Sequence, residues 1–385
     1  MTLRADERPT VHSFRTGLRA WLESEHPRLE PFRAPGTADA DADHARGLAL
    51  QVLLFDEGWM RAGWPEAVGG TGGDALLRAA LYDELLSAGY HLPDTVSMLE
   101  IMGEMVLRFA PELAARHLPA VIRGTEVWCQ GFSEPDAGSD LASLRCRATL
   151  IDGAWVLNGQ KVWTSFVQRS SRCLVLARTG EPGSGHRGLT MFLVDLGAAG
   201  VTWRTIRAMT GHDEFGEVFL DDIRVPADRA VGAPGSGWAA AMYLLQWERG
   251  MYGWLRQAAL FRRLRELVAE AGTSGDADPA ALGDVYLGLV ALRSQCRDVV
   301  RRLAAGESPG PEISVVKILL ASAEQLLMDT ARDVLAPRLE LDEAAARWRA
   351  DYLYSRVSSI FGGSVEIQRQ IVAERCLGLP RQDGR

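Results

Sequence analysis

The sequence predicts an α+β chain in three successive parts: a helical domain over residues 1–125, an antiparallel β domain over 126–232 and a helical bundle over 233–385. Three observations predict this. Apolar residues recur at helical spacing before residue 125 and again after about 237. Between these stretches the period falls to two. The turn dipeptides Asp152-Gly153 and Asn158-Gly159 punctuate that middle stretch, the strongest short hairpin signal.

Helical spacing runs over Val11–Leu22, Ala45–Trp59, Ala75–Ala88 and Glu112–Ile122, with glycine and proline breaks at Gly63-Trp64-Pro65 and Gly69–Gly73. The middle part predicts strands over Arg145–Ile151, Trp155–Leu157, Lys161–Ser165, Cys173–Ala177, Leu189–Val194, Thr202–Ile206 and Glu217–Leu220. The last part predicts helices over Trp238–Val268, Pro279–Leu303, Glu312–Val334, Asp342–Ser358 and Val365–Arg375, with loops over Gly272–Asp278 and Gly306–Pro311.

Composition narrows the function. The 385 residues carry a formal net charge of −8, which argues against a general nucleic-acid binder. Five scattered cysteines without a CxxC pair suggest neither a disulfide framework nor a zinc site. No apolar signal core and no stretch of 18 apolar residues is visible, so the expectation is a cytoplasmic protein without a membrane span. Only Lys161 and Lys317 are lysines among 42 lysines and arginines. That bias is read as genomic, without functional meaning.

Several segments carry possible chemistry. Gly70–Ala75 fits G-x-G-x-x-A, but no buried strand precedes it, so it is read as a plain loop. Ser133–Asp140 is a loop in which Ser133 and Ser139 offer hydroxyls and Gly138 admits close backbone approach. The alternative is an ordinary capped surface loop. Trp163-Thr164-Ser165 ends a strand and suits a planar aromatic ligand with a polar rim, or else Trp163 is a core residue. On a helix, Ala241, Leu244, Leu245, Glu248 and Tyr252 share a face that is apolar apart from the carboxylate. Desolvation there raises the pKa of Glu248 and suits it to act as a general base; an ion pair with Arg249 is the alternative. Ser364 is placed to cap a helix entered from Gly362-Gly363.

Taken together and in order, these segments resemble the acyl-CoA dehydrogenase family. The likeness also takes in Trp64-Pro65, Asn158–Ser165, Gly188–Phe192, Val225-Pro226, Gly362–Arg369 and Arg375–Pro380. The resemblance implies a C-terminal four-helix bundle and FAD held between it and the β domain. By position, Gln130, Phe132, Ser133, Gly138 and Ser139 would meet the flavin or its pyrophosphate. Trp163 and Ser165 would border the ring, Ser364 and Glu366 would lie near the AMP end, and Ser139 would also touch the substrate's pantetheine arm.

The family's chemistry, α,β-desaturation of an acyl thioester on CoA or an acyl carrier protein, is thereby implied. Many members carry the base just before the Gly-Ser of the C-terminal loop. Here that position is Gly362, which has no side chain to titrate; its N–H would instead hold the thioester oxygen. Others carry the base before an arginine on a bundle helix, which is Glu248 before Arg249. Tyr243, Trp247, Tyr252 and Trp254, with Arg249, are candidates to shape the acyl site. An electron-transfer flavoprotein is the implied acceptor, and a homodimer, homotetramer or mixed oligomer the implied assembly. Two stretches that reach a neighbouring subunit's FAD in many members, Arg-x-x-Phe-Gly and Gln-x-x-Gly-Gly-x-Gly, are not visible. The pattern looks closer to a subgroup used for steroid side chains and specialised metabolism. Rival readings are a flavin monooxygenase on the same fold and a non-catalytic subunit of a mixed oligomer.

Overall fold

Thr10 opens the first helix, α1 (Val11–Ser24), by accepting the Ser13 N–H, and Phe14, Leu18 and Leu22 then form one buried face. The computed structural model describes residues 9–33, 40–181, 183–274 and 278–380. Helices α2 (Ala40–Asp56), α3 (Ala75–Ser87), α4 (Val96–Phe109) and α5 (Pro111–Arg123) complete the N-terminal part. Two of these depart from expectation. α2 begins earlier than Ala45 and stops at Asp56, with a separate short turn at Trp59–Arg61. α4 is absent from the sequence reading. Val96, Leu99, Glu100, Ile101, Met102, Gly103 and Met105 are all buried, so no polar stripe marks its period.

The Gly63–Gly73 segment is a loop closed on itself. The Gly63 N–H donates to the Gly72 carbonyl, Gly72 to Trp64 and Gly70 to Pro65. A short 3-10 turn, Glu66–Val68, lies within it, and among the described residues no strand precedes it, as the loop reading expects.

Eight strands form a single sheet: β1 (Trp128–Gly131), β2 (Arg147–Ile151), β3 (Ala154–Ser165), β4 (Arg172–Arg178), β5 (Leu189–Asp195), β6 (Val201–Ile206), β7 (Phe215–Pro226) and β8 (Ala230–Val231). Their order is β6-β7-β3-β2-β4-β5-β8, with β1 beside β4. The β2–β3, β3–β7, β4–β5, β5–β8 and β6–β7 pairings are antiparallel; β1 and β2 meet β4 in parallel. Trp155, Leu157, Val175, Phe192, Val218 and Ile223 belong to the core beneath it.

Asp152 (φ 49°) and Gly153 (φ 76°) make the expected tight hairpin turn between β2 and β3. Asn158-Gly159 does not make a second. The chain runs on through it as one strand, β3, and the pairing with β7 shifts register between Leu157 and Gly159. Asn158 donates from its side-chain amide to Asp222 and accepts the Asp222 N–H, which holds the irregularity in line.

The C-terminal part contains α6 (Gly237–Trp247), α7 (Gly253–Ser274), α8 (Pro279–Ala304), α9 (Ser314–Leu335), α10 (Ala346–Ser355) and α11 (Val365–Ile371). The helix expected over Trp238–Val268 is interrupted by a five-residue π turn, Glu248–Tyr252. The loop expected from Gly272 is helical through Ser274, and residues 275–277 lie outside the described ones. The helix expected over Asp342–Ser358 divides into α10 and two flanking 3-10 turns. The one expected over Val365–Arg375 ends in a second π turn, Val372–Cys376.

The chain groups into two compact units. One comprises residues 67–69 and Asp94–Trp247, the sheet with α4, α5 and α6; α4 packs on both α5 and α6. The other comprises the remaining N-terminal residues and everything from Glu248 on. Within it α7, α8 and α9 pack on one another, α10 packs on α9, and α3 packs on α1, α7 and α8.

Candidate active site

The Ser133–Asp140 loop in the sheet unit is held from inside. Glu134 and Ala137 exchange N–H to carbonyl hydrogen bonds at 2.9 and 3.1 Å, closing a tight turn over Pro135-Asp136. The Glu134 side chain turns inward and is buried. Its carboxylate accepts the N–H groups of Arg145 (2.6 Å) and Cys146 (2.8 Å) and the Lys161 ammonium (2.8 Å). Lys161 is wholly buried and donates also to the Phe132 carbonyl at 3.1 Å. Sequence reasoning gave neither Glu134 nor Lys161 a role; the rarity of lysine was the available signal.

With Glu134 turned in, the loop presents its other atoms outward. Gly138 and Ser139 are exposed, Gln130 and Ser133 half-buried and Phe132 buried. A Cβ on Gly138 would touch nothing within 4 Å, so open space lies over its backbone. Ser133 accepts the Val162 N–H, which ties the loop to β3 just before Trp163.

Trp163 is not a core residue. It sits in the left-handed region (φ 59°), is 60% exposed and meets Phe215 edge-on, with ring centroids 6.0 Å apart. The β3–β7 register shifts between Lys161 and Thr164, and this bulge turns the indole outward. Next to it, the Thr164 hydroxyl is buried with no hydrogen-bond partner in the protein. Ser165 is half-buried at the strand end.

The helical unit supplies the candidate base. The π turn holds Glu248 and Arg249, and a π turn marks functional sites more often than ordinary helix does. It also breaks the 3.6-residue period, so the face drawn from Ala241 through Leu244 to Tyr252 does not continue regularly past Trp247. Glu248 retains some solvent exposure yet is densely surrounded by protein, and this burial pushes its carboxyl up, against the opposing pull of Arg249 and Lys317. Burial likewise pushes Arg249 down, with Glu248 opposing.

Gly362 (φ 64°) and Gly363 (φ 88°) form the turn facing these charges. A Cβ on Gly362 would run into Oε1 of Glu248 and would lie 3.8 Å from Cε of Lys317. A Cβ on Gly363 would lie 3.6 Å from the Arg249 guanidinium. The structure therefore brings Glu248, Arg249 and Gly362 together. Ser364 caps α11, accepting the Ile367 N–H at 3.4 Å, and Glu366 in its first turn is exposed. The helix N–H groups and the Ser364 hydroxyl hold the Glu366 carboxyl below its usual range.

Of the acyl-site candidates, Tyr243 and Trp247 belong to the sheet unit and Tyr252 and Trp254 to the helical one. Tyr243 packs edge-on against Phe109 at 5.9 Å, with Arg108 over its ring at 4.6 Å. Trp247 is buried. Tyr252 meets Phe361 at 6.3 Å, and burial pushes its phenol up to about 12. Trp254 donates to the Ala79 carbonyl at 3.0 Å and is buried, a packing role.

The domain order and the chemistry of these side chains define a flavin-dependent oxidoreductase acting on CH–CH groups. The chain belongs to the acyl-CoA dehydrogenase family. Residues 11–125 match its N-terminal domain, 129–223 its middle domain and 235–377 its C-terminal domain. The chain is 40% identical to the acyl-CoA dehydrogenase IpdE1 of Mycobacterium tuberculosis, over 97% of this chain and 98% of that one. Among solved structures it is similar to the Tcur3481–Tcur3483 steroid ACAD, at 25% identity, a TM-score of 0.82, and 99% and 100% coverage. It is likewise similar to the ChsE4–ChsE5 complex of M. tuberculosis, at 25% identity, a TM-score of 0.79, and the same coverage.

Family members are FAD-dependent, and this chain's residues fit the cofactor. An outward-turned indole beside an unpartnered buried hydroxyl suits a planar ring with a polar rim. The open backbone at Gly138 suits a group that must approach closely. Among the described residues no helix is long and apolar enough to cross a membrane.

Proposed function

We propose that the enzyme desaturates an acyl thioester between Cα and Cβ, with Glu248 removing the Cα proton. The carrying observation is the Glu248–Gly362 pair: the carboxylate fills the space that any side chain at residue 362 would need. One group therefore serves as base, and the glycine keeps only a backbone N–H to offer. That N–H is assigned to the thioester oxygen as it gains enolate character. Burial keeps the Glu248 carboxyl above the ordinary carboxylate range, nearer the working pH, where a base is most effective. The rate of the proton-removing step should accordingly rise with pH through a value above that range.

In the same reading Gln130, Phe132, Ser133, Gly138, Ser139, Trp163 and Ser165 hold the flavin and pyrophosphate, with Ser364 and Glu366 toward the AMP end. FAD, when bound, supplies the acceptor for the hydride leaving Cβ. Arg249, Tyr243 and Trp247 are assigned to the acyl site, and Ser139 also to the thioester arm. The domain limits are set near residues 125 and 232.

Glu248→Gln tests the base. The variant should retain FAD while reduction by an acyl thioester falls by about 10²–10⁴-fold or more. Full activity in that variant would sink the assignment.

The relatives suggest where to look for substrate and partners. One similar structure is a steroid ACAD, so steroid-derived acyl-CoA thioesters are the first class to try. Two similar structures are two-component assemblies, which supports a mixed oligomer beside a homo-oligomer. Tyr286, Leu287 and Val290 are exposed along one face of α8 and would serve such an interface. Light scattering of the chain, alone and co-expressed with a homologue, checks this; a monomer in both cases rejects it. An electron-transfer flavoprotein is the proposed acceptor.

A further inference from the structure

Both lysines of this arginine-rich chain are buried, and each lies at one of the two candidate sites. Lys161 braces the Ser133–Asp140 loop. Lys317, on α9, reaches the carbonyl of Ser358 through a short hydrogen bond and lies 3.9 Å from the centre of the Phe361 ring. It is 4% exposed. Its Cε would also lie 3.8 Å from a Cβ at Gly362, the same point that Glu248 blocks. A compact ammonium suits this position better than a planar guanidinium would, because it acts as a point charge on a flexible stem.

We propose that Lys317 is a positioning residue for the base: it fixes the Ser358–Gly362 segment and sets a positive charge beside Glu248 that keeps the carboxylate ionised and in place. This rests on Glu248 being the base. The anchorage is extensive. Ser358 donates to the Ser355 carbonyl at 2.6 Å, and Gln325, also on α9, donates to that same carbonyl at 3.2 Å. α9 thus holds the segment carrying Phe361 and Gly362 at two points, of which only Lys317 brings charge.

The groups facing Lys317 come from each packed element. Glu248 and Arg249 come from the π turn, Arg256 from α7 and Glu324 from α9 itself; Tyr252 and Tyr354 border the Arg256–Glu324 ion pair. Glu324 is ion-paired with Arg256, and of the two carboxylates acting on Lys317 Glu248 acts the more strongly. Burial pulls the Lys317 ammonium down to about 8, with Glu248 and Glu324 opposing. Charge is therefore retained at neutral pH and lost only as pH rises through that value.

Lys317→Gln removes the charge and keeps a donor for Ser358; Lys317→Arg keeps a charge. The measurement is an infrared titration of the Glu248 carboxyl in the FAD-loaded enzyme, with the band assigned by subtracting Glu248→Gln. Alongside it runs the acid limb of anaerobic flavin reduction. Without the charge, both should move up by about 1 pH unit or more in the Gln variant, and both should stay near the wild-type position in the Arg variant. An unmoved carboxyl band in Lys317→Gln, or an equal move in Lys317→Arg, would overturn the proposal. Should Lys317→Gln fail to fold, Lys317→Met carries the same test. Retained activity in Glu248→Gln would overturn the base assignment alone, because the infrared band reports the contact without catalysis.

Discussion

At the scale of single residues, the Glu134–Lys161 pair braces the Ser133–Asp140 loop from inside. Glu134 accepts two backbone N–H groups and one ammonium in a buried setting, so its charge is nearly fully compensated. Removing one partner leaves the other charge buried without its counter-ion. Lys161→Met should therefore destabilise the fold by about 3–5 kcal/mol, read from urea unfolding, and weaken FAD retention with it. A variant unfolding like wild type would show that the loop is held by its backbone turn alone. The sequence offers the loop as a candidate ligand site, and within it the Glu134 carboxylate turns inward as a brace. The scarcity of lysine reads in the sequence as genomic bias, and only burial and distance give Lys161 its place beside Glu134.

At the scale of elements, the π turn and the Gly362-Gly363 turn are the two irregularities that bring together the pair proposed for catalysis, Glu248 and Gly362. Gly250, inside the π turn, approaches α8 closely: an added Cβ would lie 3.1 Å from Val299 Cγ1. Gly362 has φ 64°, where a side chain is strained whatever the space, and Glu248 occupies that space besides. Gly362→Ala should cost about 1–2 kcal/mol from backbone strain alone. It should also lower turnover more than substrate binding, because it displaces the base rather than the acyl site. Thermal melts and steady-state kinetics check this; a variant with normal turnover would separate Gly362 from the base. Much of the element plan is readable in sequence, since spacing and Asp152-Gly153 follow from short-range rules. What escapes has physical causes. α4 is buried almost all round, so its period is silent. Asn158-Gly159 has the right chemistry for a hairpin, but cross-strand pairing with β7 and the Asp222 hydrogen bonds turn it into a bulge. The π turn leaves no mark in a sequence whose apolar spacing looks continuous, and it alters which residues share a face with Glu248.

At the scale of the whole molecule, the claim is that three family domains carry a flavin-dependent dehydrogenase of acyl thioesters. The oxidoreductase class and FAD dependence follow from a family match spanning nearly the whole chain. The proposed direction of the chemistry rests on the proposed role of Glu248, because a monooxygenase on this fold would draw its electrons from elsewhere and would have no need of that base. The two chemistries part at the source of the electrons. The most direct measurement is anaerobic mixing of the FAD-loaded enzyme with a panel of acyl thioesters, varied in chain length, branching, steroid character and carrier, with no other reductant present. At least one thioester should bleach the visible flavin band at a catalytically useful rate and yield its α,β-unsaturated product. A flavin that stays oxidised with every thioester, yet is reduced by an external donor and then consumes oxygen, would contradict the account.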